Sequence, residues 1–128
     1  MSQRGQDRDR GERQDLGERT KAFALAVIRT YVKLPKTAVA QVIGRQLLRS
    51  GTSVGAHWRE ARRGRSNAEF VSKVEGGLQE LDETCYWLEL LAEAGVVEQQ
   101  DLEDLLKEAN ELIAIHVACV KKTKGRAG

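Results

Sequence analysis

The chain has 128 residues, the usual size of one domain, of which 41% are hydrophobic and only 5% aromatic. It carries a single proline and a formal net charge of +2. This composition favours helices packed by aliphatic side chains over a β-sheet. No apolar run approaches the length of a membrane span, about 20 residues, and the polar N-terminus lacks the hydrophobic region of a signal peptide. We therefore expect a cytoplasmic protein that is not bound to a membrane.

The first 19 residues mix arginines with aspartates and glutamates, and Leu16 is their only large hydrophobic side chain after Met1. Such a segment cannot offset the entropy cost of ordering by burying apolar surface. We therefore predict three parts: a disordered charged tail over residues 1–19, one helical domain over residues 20–122 and a basic tail over residues 123–128.

The first helix is predicted from about Thr20 to Leu34, because Pro35 pushes the residue before it out of the helical conformation. At about 100° per residue, Leu25 and Val32 lie nearly opposite the main apolar stripe of this helix. The helix is therefore apolar almost all round, and we expect it to be covered on two sides. Its main stripe consists of Phe23, Val27, Tyr31 and Leu34.

The second helix is predicted from about Ala38 to Arg62, with Thr37 as its N-cap. A continuous apolar stripe places Gly51 inside this helix, although glycine costs up to about 1 kcal/mol there relative to alanine. The small residues around Gly51 would let another helix approach closely. The stripe consists of Val39, Ile43, Leu47, Ser50, Val54, Trp58 and Ala61, which fall within about 100°.

The third helix is predicted from about Asn67 to Ala94. It begins after Ser66, whose side chain accepts from a first-turn N–H in a Ser-x-x-Glu pair with Glu69, and Gly95 follows as a left-handed C-terminal cap. The predicted core side consists of Phe70, Val74, Leu78, Leu81, Cys85, Leu88 and Ala92. The opposite face is more apolar than a monomer normally leaves in water, which predicts an oligomer interface. Its residues are Gly76, Tyr86, Trp87 and Leu90.

A fourth helix is predicted from about Gln99 to Lys122, and the basic end of the chain after it is expected to fray. The apolar pattern of this helix consists of Leu102, Leu105, Leu106, Ala109, Leu112, Ile113, His116, Val117 and Val120. Four helices joined by short loops predict an all-α fold, an antiparallel up-down-up-down four-helix bundle.

The small net charge hides a division along the chain. Residues 20–66 contain ten Lys and Arg against one acid, a charge of +9, whereas residues 67–120 contain two Lys against thirteen Asp and Glu, a charge of −11. One interpretation is that the two hairpins, or neighbouring subunits, attract each other, since opposed charges set register and association rate. The other is a basic surface for phosphates.

Four arginines on the second helix support the phosphate hypothesis. Arg45, Arg49, Arg59 and Arg63 fall within about 80° on the side opposite the apolar stripe, and no acid lies in that sector. Together with the basic C-terminal tail they predict contact with a nucleic-acid backbone. The candidate nucleic-acid-binding residues are Arg45, Arg49, Arg59, Arg62, Arg63, Arg65, Lys121, Lys122 and Lys124.

Catalytic signatures are missing from the sequence. Four-helix bundles hold di-iron sites through Glu-x-x-His pairs, but neither histidine has a glutamate three residues before it, and His116 falls on an apolar stripe where a core histidine is expected. The sequence contains no Cys-x-x-Cys pair, phosphate-binding glycine loop or nucleophile elbow. Cys85 and Cys119 lie in apolar stretches and are expected to behave as small hydrophobic side chains. We therefore predict a protein that is not an enzyme and uses no cofactor or metal.

The order and spacing of several residues resemble a known bacterial family. It is the four-helix-bundle family of proteins encoded in intervening sequences of large-subunit ribosomal RNA genes, which is also similar to the accessory proteins of diversity-generating retroelements. The resemblance covers residues 21–120 and is closest over residues 46–91. It rests on Gln46, Leu47, Arg49, Ser50, residues 52–56 (TSVGA), residues 59–61 (REA), Ser66, Glu69, Phe70, Lys73, Glu80, Glu83, Thr84, Trp87 and Leu88.

The resemblance implies a bundle that assembles into a homo-oligomeric ring, typically a homopentamer, and for the retroelement members it implies binding to a reverse transcriptase and to nucleic acid. The chain departs from the family at His57, where family sequences often carry Asn. Two functional hypotheses follow. The first is a nucleic-acid-binding or ribonucleoprotein accessory factor that acts with RNA or DNA. The second is a self-assembling scaffold that binds a protein partner.

Overall fold

The computed structural model describes the backbone of residues 2–127 and the side chains of residues 16–126. It contains four helices, α1 (Ser2–Val32), α2 (Ala38–Arg62), α3 (Asn67–Glu93) and α4 (Gln99–Ala127), and no strand within residues 2–127. Consecutive helices pack against each other, and α1 closes the bundle by a lighter contact with α4. The all-α four-helix bundle predicted from the sequence is confirmed.

Local capping sets the predicted helix ends. Thr37 Oγ1 accepts a hydrogen bond from the Ala40 N–H at 3.2 Å, and Ser66 Oγ accepts from the Glu69 N–H at 3.1 Å. Gly95, at φ 72°, follows the end of α3 in the left-handed conformation that glycine adopts without strain. The Glu69 carboxylate reaches back across the cap and accepts from the Arg65 N–H, one residue before Ser66.

The buried positions follow a heptad spacing rather than the straight-helix spacing assumed in the sequence analysis. In α3 the steps between buried residues alternate between four and three, the mark of helices that supercoil around one another. The predicted core residues Leu78, Cys85 and Ala92 are consequently only half-buried. The buried residues of α3 are Phe70, Val74, Gly77, Leu81, Thr84, Leu88 and Leu91.

Helix α2 shows the same heptad spacing, and its predicted core residues need the same kind of correction. Val39, predicted as a core residue, is 57% exposed, and its neighbour Ala40 is buried instead. The heptad positions of α2 are Ala40, Gly44, Leu47, Gly51, Val54, Trp58 and Ala61. Ser50 is also buried, and its hydroxyl accepts a hydrogen bond from Thr84 Oγ1 on α3 at 2.9 Å.

The glycines of α2 bring α1 close, as the sequence predicted for the region of Gly51. A Cβ atom on Gly51 would lie 2.6 Å from a methyl group of Val27, and one on Gly44 would lie 2.6 Å from a methyl group of Leu34. Real Cβ atoms do not approach other atoms so closely. Gly51 therefore accommodates Val27 of α1, and Gly44 accommodates Leu34, which lies just after the end of α1.

Helices α1 and α4 extend beyond the predicted ends. Leu16 is 2% exposed although it belongs to the segment predicted to be disordered, and Arg19 binds Glu108 and Glu111 of α4 at 2.6 and 2.9 Å. Thr123 is buried and continues the heptads of α4 past the predicted end at Lys122. The predictions were wrong at these positions because they overlooked the heptad positions of Leu16 and Thr123. The side chains of residues 1–15, most of the predicted tail, lie outside the described residues.

We expect Ser66→Ala to cost about 1 kcal/mol of stability, since it removes the side-chain acceptor for a first-turn N–H of α3. The melting temperature should fall by about 4 °C. Ser72→Ala, an exposed substitution inside the same helix, should change stability by less than about 0.5 kcal/mol. Equal melting temperatures for the two variants would show that the Ser66 cap does not stabilise α3.

Candidate nucleic-acid interface

The helix arrangement gathers most of the predicted nucleic-acid-binding residues at one end of the bundle. The end of α2, the turn into α3 and the end of α4 meet there, as the 3.2 Å ion pair between Lys124 of α4 and Glu75 of α3 shows. We call this surface the basic end. Its residues are Arg59, Arg62, Arg63, Arg65, Lys121, Lys122 and Lys124.

Two predicted residues do not belong to the basic end. Arg45 lies 14 residues before Arg59 on α2, a rise of about 21 Å. Arg49 contacts two acids of α3, at 3.2 Å for Glu80 and through its second guanidinium nitrogen for Glu83. The hydrogen bond with Glu83 raises the pKa of Arg49. The predicted four-arginine stripe is therefore divided, and Arg49 is neutralised within the chain.

The side chains of Arg59, Arg62 and Arg63 are exposed and form no ion pair within the described residues. The acid next to Arg59 in sequence, Glu60, binds Lys73 of α3 at 3.2 Å instead. Part of this basic charge has a structural explanation, because cations in the last turn of a helix stabilise its dipole. That explanation covers α2 and α4 but does not require arginines in the turn between α2 and α3.

The turn between α2 and α3 forms a recess of about 380 Å³ that is open to solvent. Arg63 and Arg65 bring positive charge to it, and its two acids are engaged, Glu60 with Lys73 and Glu69 with the Arg65 backbone N–H. The recess can hold an anionic group on its cationic side.

The predicted oligomer interface is only partly exposed. Gly76 faces α2 of its own chain, since a Cβ atom on Gly76 would lie 2.9 Å from Nδ1 of His57 on α2. Trp87 and Leu90 are half-buried, and Trp87 packs against the core. Tyr86 is 54% exposed, and its ring centre lies 5.1 Å from that of Trp87. Gly76 therefore serves close packing between α2 and α3 within the chain.

A more exposed apolar surface, outside the predicted oligomer interface, lies on α1 and the start of α2. Leu25, Ile28 and Val32 fall within about 60° on one face of α1, and Val32 is 68% exposed. Val39 and Val42 are exposed at the start of α2. The signal was present in the sequence, because α1 was predicted to need cover on two sides. Within the described chain only one side is covered.

His116 is a core residue, as its position on the apolar stripe predicted. It is 1% exposed, and its Nδ1 lies 2.7 Å from the Leu112 carbonyl oxygen, so Nδ1 carries the proton and donates. Burial lowers the pKa of His116, and the backbone hydrogen bond offsets part of that shift. Within the described residues no three His, Cys, Asp or Glu side chains are grouped to hold a metal ion.

Both cysteines are half-buried thiols, and burial raises the pKa of Cys85. A high thiol pKa suppresses the reactive thiolate. Among the described residues, no helix has the length and apolarity needed to span a membrane.

Four antiparallel helices with heptad packing and one cationic end define a four-helix-bundle protein without a recognisable catalytic centre in its described residues. Residues 12–118 match the family model described as 23S rRNA-intervening sequence protein. The chain therefore belongs to the 23S rRNA-intervening sequence protein family, which confirms the resemblance found in the sequence.

A solved structure supports both the family and the fold. It is the 1.70 Å crystal structure of a protein with unknown function from the S23 ribosomal protein family of Bacteroides thetaiotaomicron VPI-5482. The two chains are 31% identical, the match covers 86% of this chain and 98% of that chain, and the TM-score is 0.81. Comparison with curated proteins finds no match. Neither this family nor the Bacteroides protein is described with an enzymatic activity.

We expect His116 to make stability depend on pH. Its pKa in the folded state is lowered by burial, whereas the unfolded value is about 6.5. The unfolded chain therefore takes up the proton first as the pH falls, and the stability present above about pH 6.5 is lost below it, by at most about 1.4 kcal/mol per pH unit. Urea unfolding of the unmodified protein between pH 7.5 and 5 should show this slope.

His116→Leu should have a shallower pH slope than the unmodified protein over this range. Ser66→Ala is the matched control, because it is destabilised without losing a titratable group and should keep the slope. The same slope in His116→Leu and the unmodified protein would show that His116 does not carry the effect.

Proposed function

We propose that this protein is a non-enzymatic, homo-oligomeric accessory factor of a ribonucleoprotein in the cytoplasm, and that its basic end contacts nucleic-acid backbone. The observation that carries the proposal is the clustering of cations at one end of the bundle. Arg59, Arg62 and Arg63 form no ion pair within the described residues, although α3, which belongs to the acidic part of the chain, packs against α2.

Phosphate is the ligand that fits this surface best. A guanidinium group presents a planar fork of donors and stays charged at any working pH. Contacts of this kind position a strand without reading its sequence, because they reach the phosphate oxygens and not the base edges. RNA and DNA are both suitable ligands. By resemblance to the retroelement accessory proteins, a reverse transcriptase is the proposed protein partner.

The proposed assembly rests on the exposed apolar face of α1. Leu25, Ile28 and Val32 present aliphatic surface that the described chain does not cover, and burying such surface against a second subunit is favourable. Tyr86 contributes an exposed aromatic ring on α3. The homopentameric ring is what the family resemblance implies. A ring would place several basic ends on one particle.

The same exposed apolar face favours a second function, a self-assembling scaffold that binds a protein partner and no nucleic acid. In that case the unpaired arginines meet acids of the partner or of a neighbouring subunit. The two functions differ in whether the protein binds a strand with the salt dependence of phosphate contacts.

We expect the unmodified protein to bind mixed-sequence single-stranded RNA and DNA at low salt, with affinity that falls steeply as salt increases. The log–log slope should be about −0.7 per phosphate contact. Arg59→Gln with Arg63→Gln should bind more weakly and with a shallower slope, because two cations are lost. Fluorescence anisotropy across a salt series measures both quantities.

Arg49→Gln with Arg45→Gln is the matched control, since it removes two arginines from the same helix outside the basic end. It should retain the slope of the unmodified protein. No binding at low salt, or the same slope in all three proteins, would favour the scaffold function.

We expect Leu25→Gln with Val32→Gln to yield a folded protein of lower molar mass than the unmodified protein, because the exposed face of α1 loses its apolar contacts with another subunit. Light scattering gives the mass, and circular dichroism checks the fold. Ala114→Gln with Ala118→Gln, an exposed pair on α4, should keep the original mass. A monomeric unmodified protein would contradict the proposed assembly.

A further inference from the structure

A groove between α1 and α2 borders the basic end and has an apolar floor. Its volume is about 380 Å³, within the range of about 300 to 1,000 Å³ that is usual for small-molecule sites. Lys21 and Arg59 stand at its rim, and small side chains form its floor. The floor residues are Gly17, Ala24, Gly55 and Ala56.

Packing does not require glycine at either of the two glycines of the floor. A Cβ atom on Gly55 would lie 3.4 Å from Oγ1 of Thr20, the near limit of ordinary contact. On Gly17 the nearest atom would be 3.7 Å away, so alanine would fit there. Glycine inside a helix costs about 1 kcal/mol relative to alanine. Gly17 therefore keeps the floor open at a stability cost that helix packing does not require.

Two donors lie directly beside Gly17. Trp58 is 1% exposed, and its indole N–H has no hydrogen-bond partner within the described residues. Its Nε1 and the Nη1 of Arg62 each lie 3.7 Å from the position that a Gly17 Cβ atom would take. Neither residue lines the groove, so Trp58 is a nearby reporter of the groove and not a contact of the ligand.

The charges around the groove favour an anion. Lys21 and Arg59 are exposed and form no ion pair within the described residues. Glu60, next to Arg59 in sequence, is held by Lys73 on the α3 side of α2. Glu18 is the nearest acid on the described part of α1, and it lies about 100° further around that helix than Gly17.

We propose that the α1–α2 groove holds one nucleotide unit of a single strand, with its phosphate between Lys21 and Arg59 and its sugar or base on the floor of small residues. This inference rests on the proposed function and adds to it the location of the site. It also adds Lys21 as a phosphate-contacting residue, which was not among the candidate nucleic-acid-binding residues predicted from the sequence. A single strand fits because its bases are free to lie on an apolar floor, whereas a duplex keeps them stacked.

The test uses a short fluorescent single-stranded oligonucleotide and two kinds of substitution. Ala56→Leu fills the floor without changing charge, and it should weaken binding about tenfold while the salt slope stays the same, because no phosphate contact is removed. Lys21→Gln should weaken binding and make the slope shallower by about 0.7, the effect of one phosphate.

Matched controls lie on the same bundle. Ala114→Leu adds the same side chain at an exposed position of α4, and Lys33→Gln removes an exposed lysine at the other end of α1. Both should bind like the unmodified protein. In a Trp87→Phe background Trp58 is the only tryptophan, and its fluorescence should change when the strand binds.

The outcomes separate this inference from the proposed function. If the unmodified protein binds no strand, both fail. If the unmodified protein binds a strand, and Ala56→Leu and Lys21→Gln each bind it as tightly as the unmodified protein does, the proposed function stands and the groove is excluded as the site. A duplex that binds as tightly as the single strand would overturn the choice of ligand. A change in molar mass on Ala56→Leu without nucleic acid would show that the groove is a subunit contact.

Discussion

The close approach of α1 to α2 is the contact on which the rest of the surface depends. Gly51 receives Val27 and Gly44 receives Leu34, so the two helix backbones come nearer than larger side chains would allow. Because α1 has only a light contact with α4, its position is set mainly by α2. The groove beside Gly17 and the exposed face around Val32 both follow from that placement.

Helix α1 is held mainly from one side, by α2. The 2.6 Å ion pair between Arg19 and Glu108 ties α1 to α4, but partly exposed ion pairs of this type contribute about 1 kcal/mol or less. Apolar contact on the free side of α1 would stabilise it further. The exposed leucine, isoleucine and valine on that side therefore connect the stability of the single chain to its assembly.

Much of the fold could be predicted from the sequence, because its signals are local. Thr37, Ser66 and Gly95 mark helix ends through their own backbone and side-chain chemistry, and the structure places them there. The prediction of the core residues was less accurate. The prediction selected apolar side chains, so it took Leu78 and Cys85 in place of Gly77 and Thr84, which lie one and two heptads after Phe70 and are buried although they carry little apolar surface.

The candidate site was harder to predict than the fold, because the availability of each arginine depends on helix register. Packing of α2 against α3 sets the register in which Thr84 donates to Ser50 and Arg49 meets Glu80 and Glu83. Helical spacing alone treats Arg49 and Arg59 as equivalent members of one stripe. Only the pairing between helices shows that Arg49 is neutralised, whereas Arg59 borders the groove and forms no ion pair within the described residues.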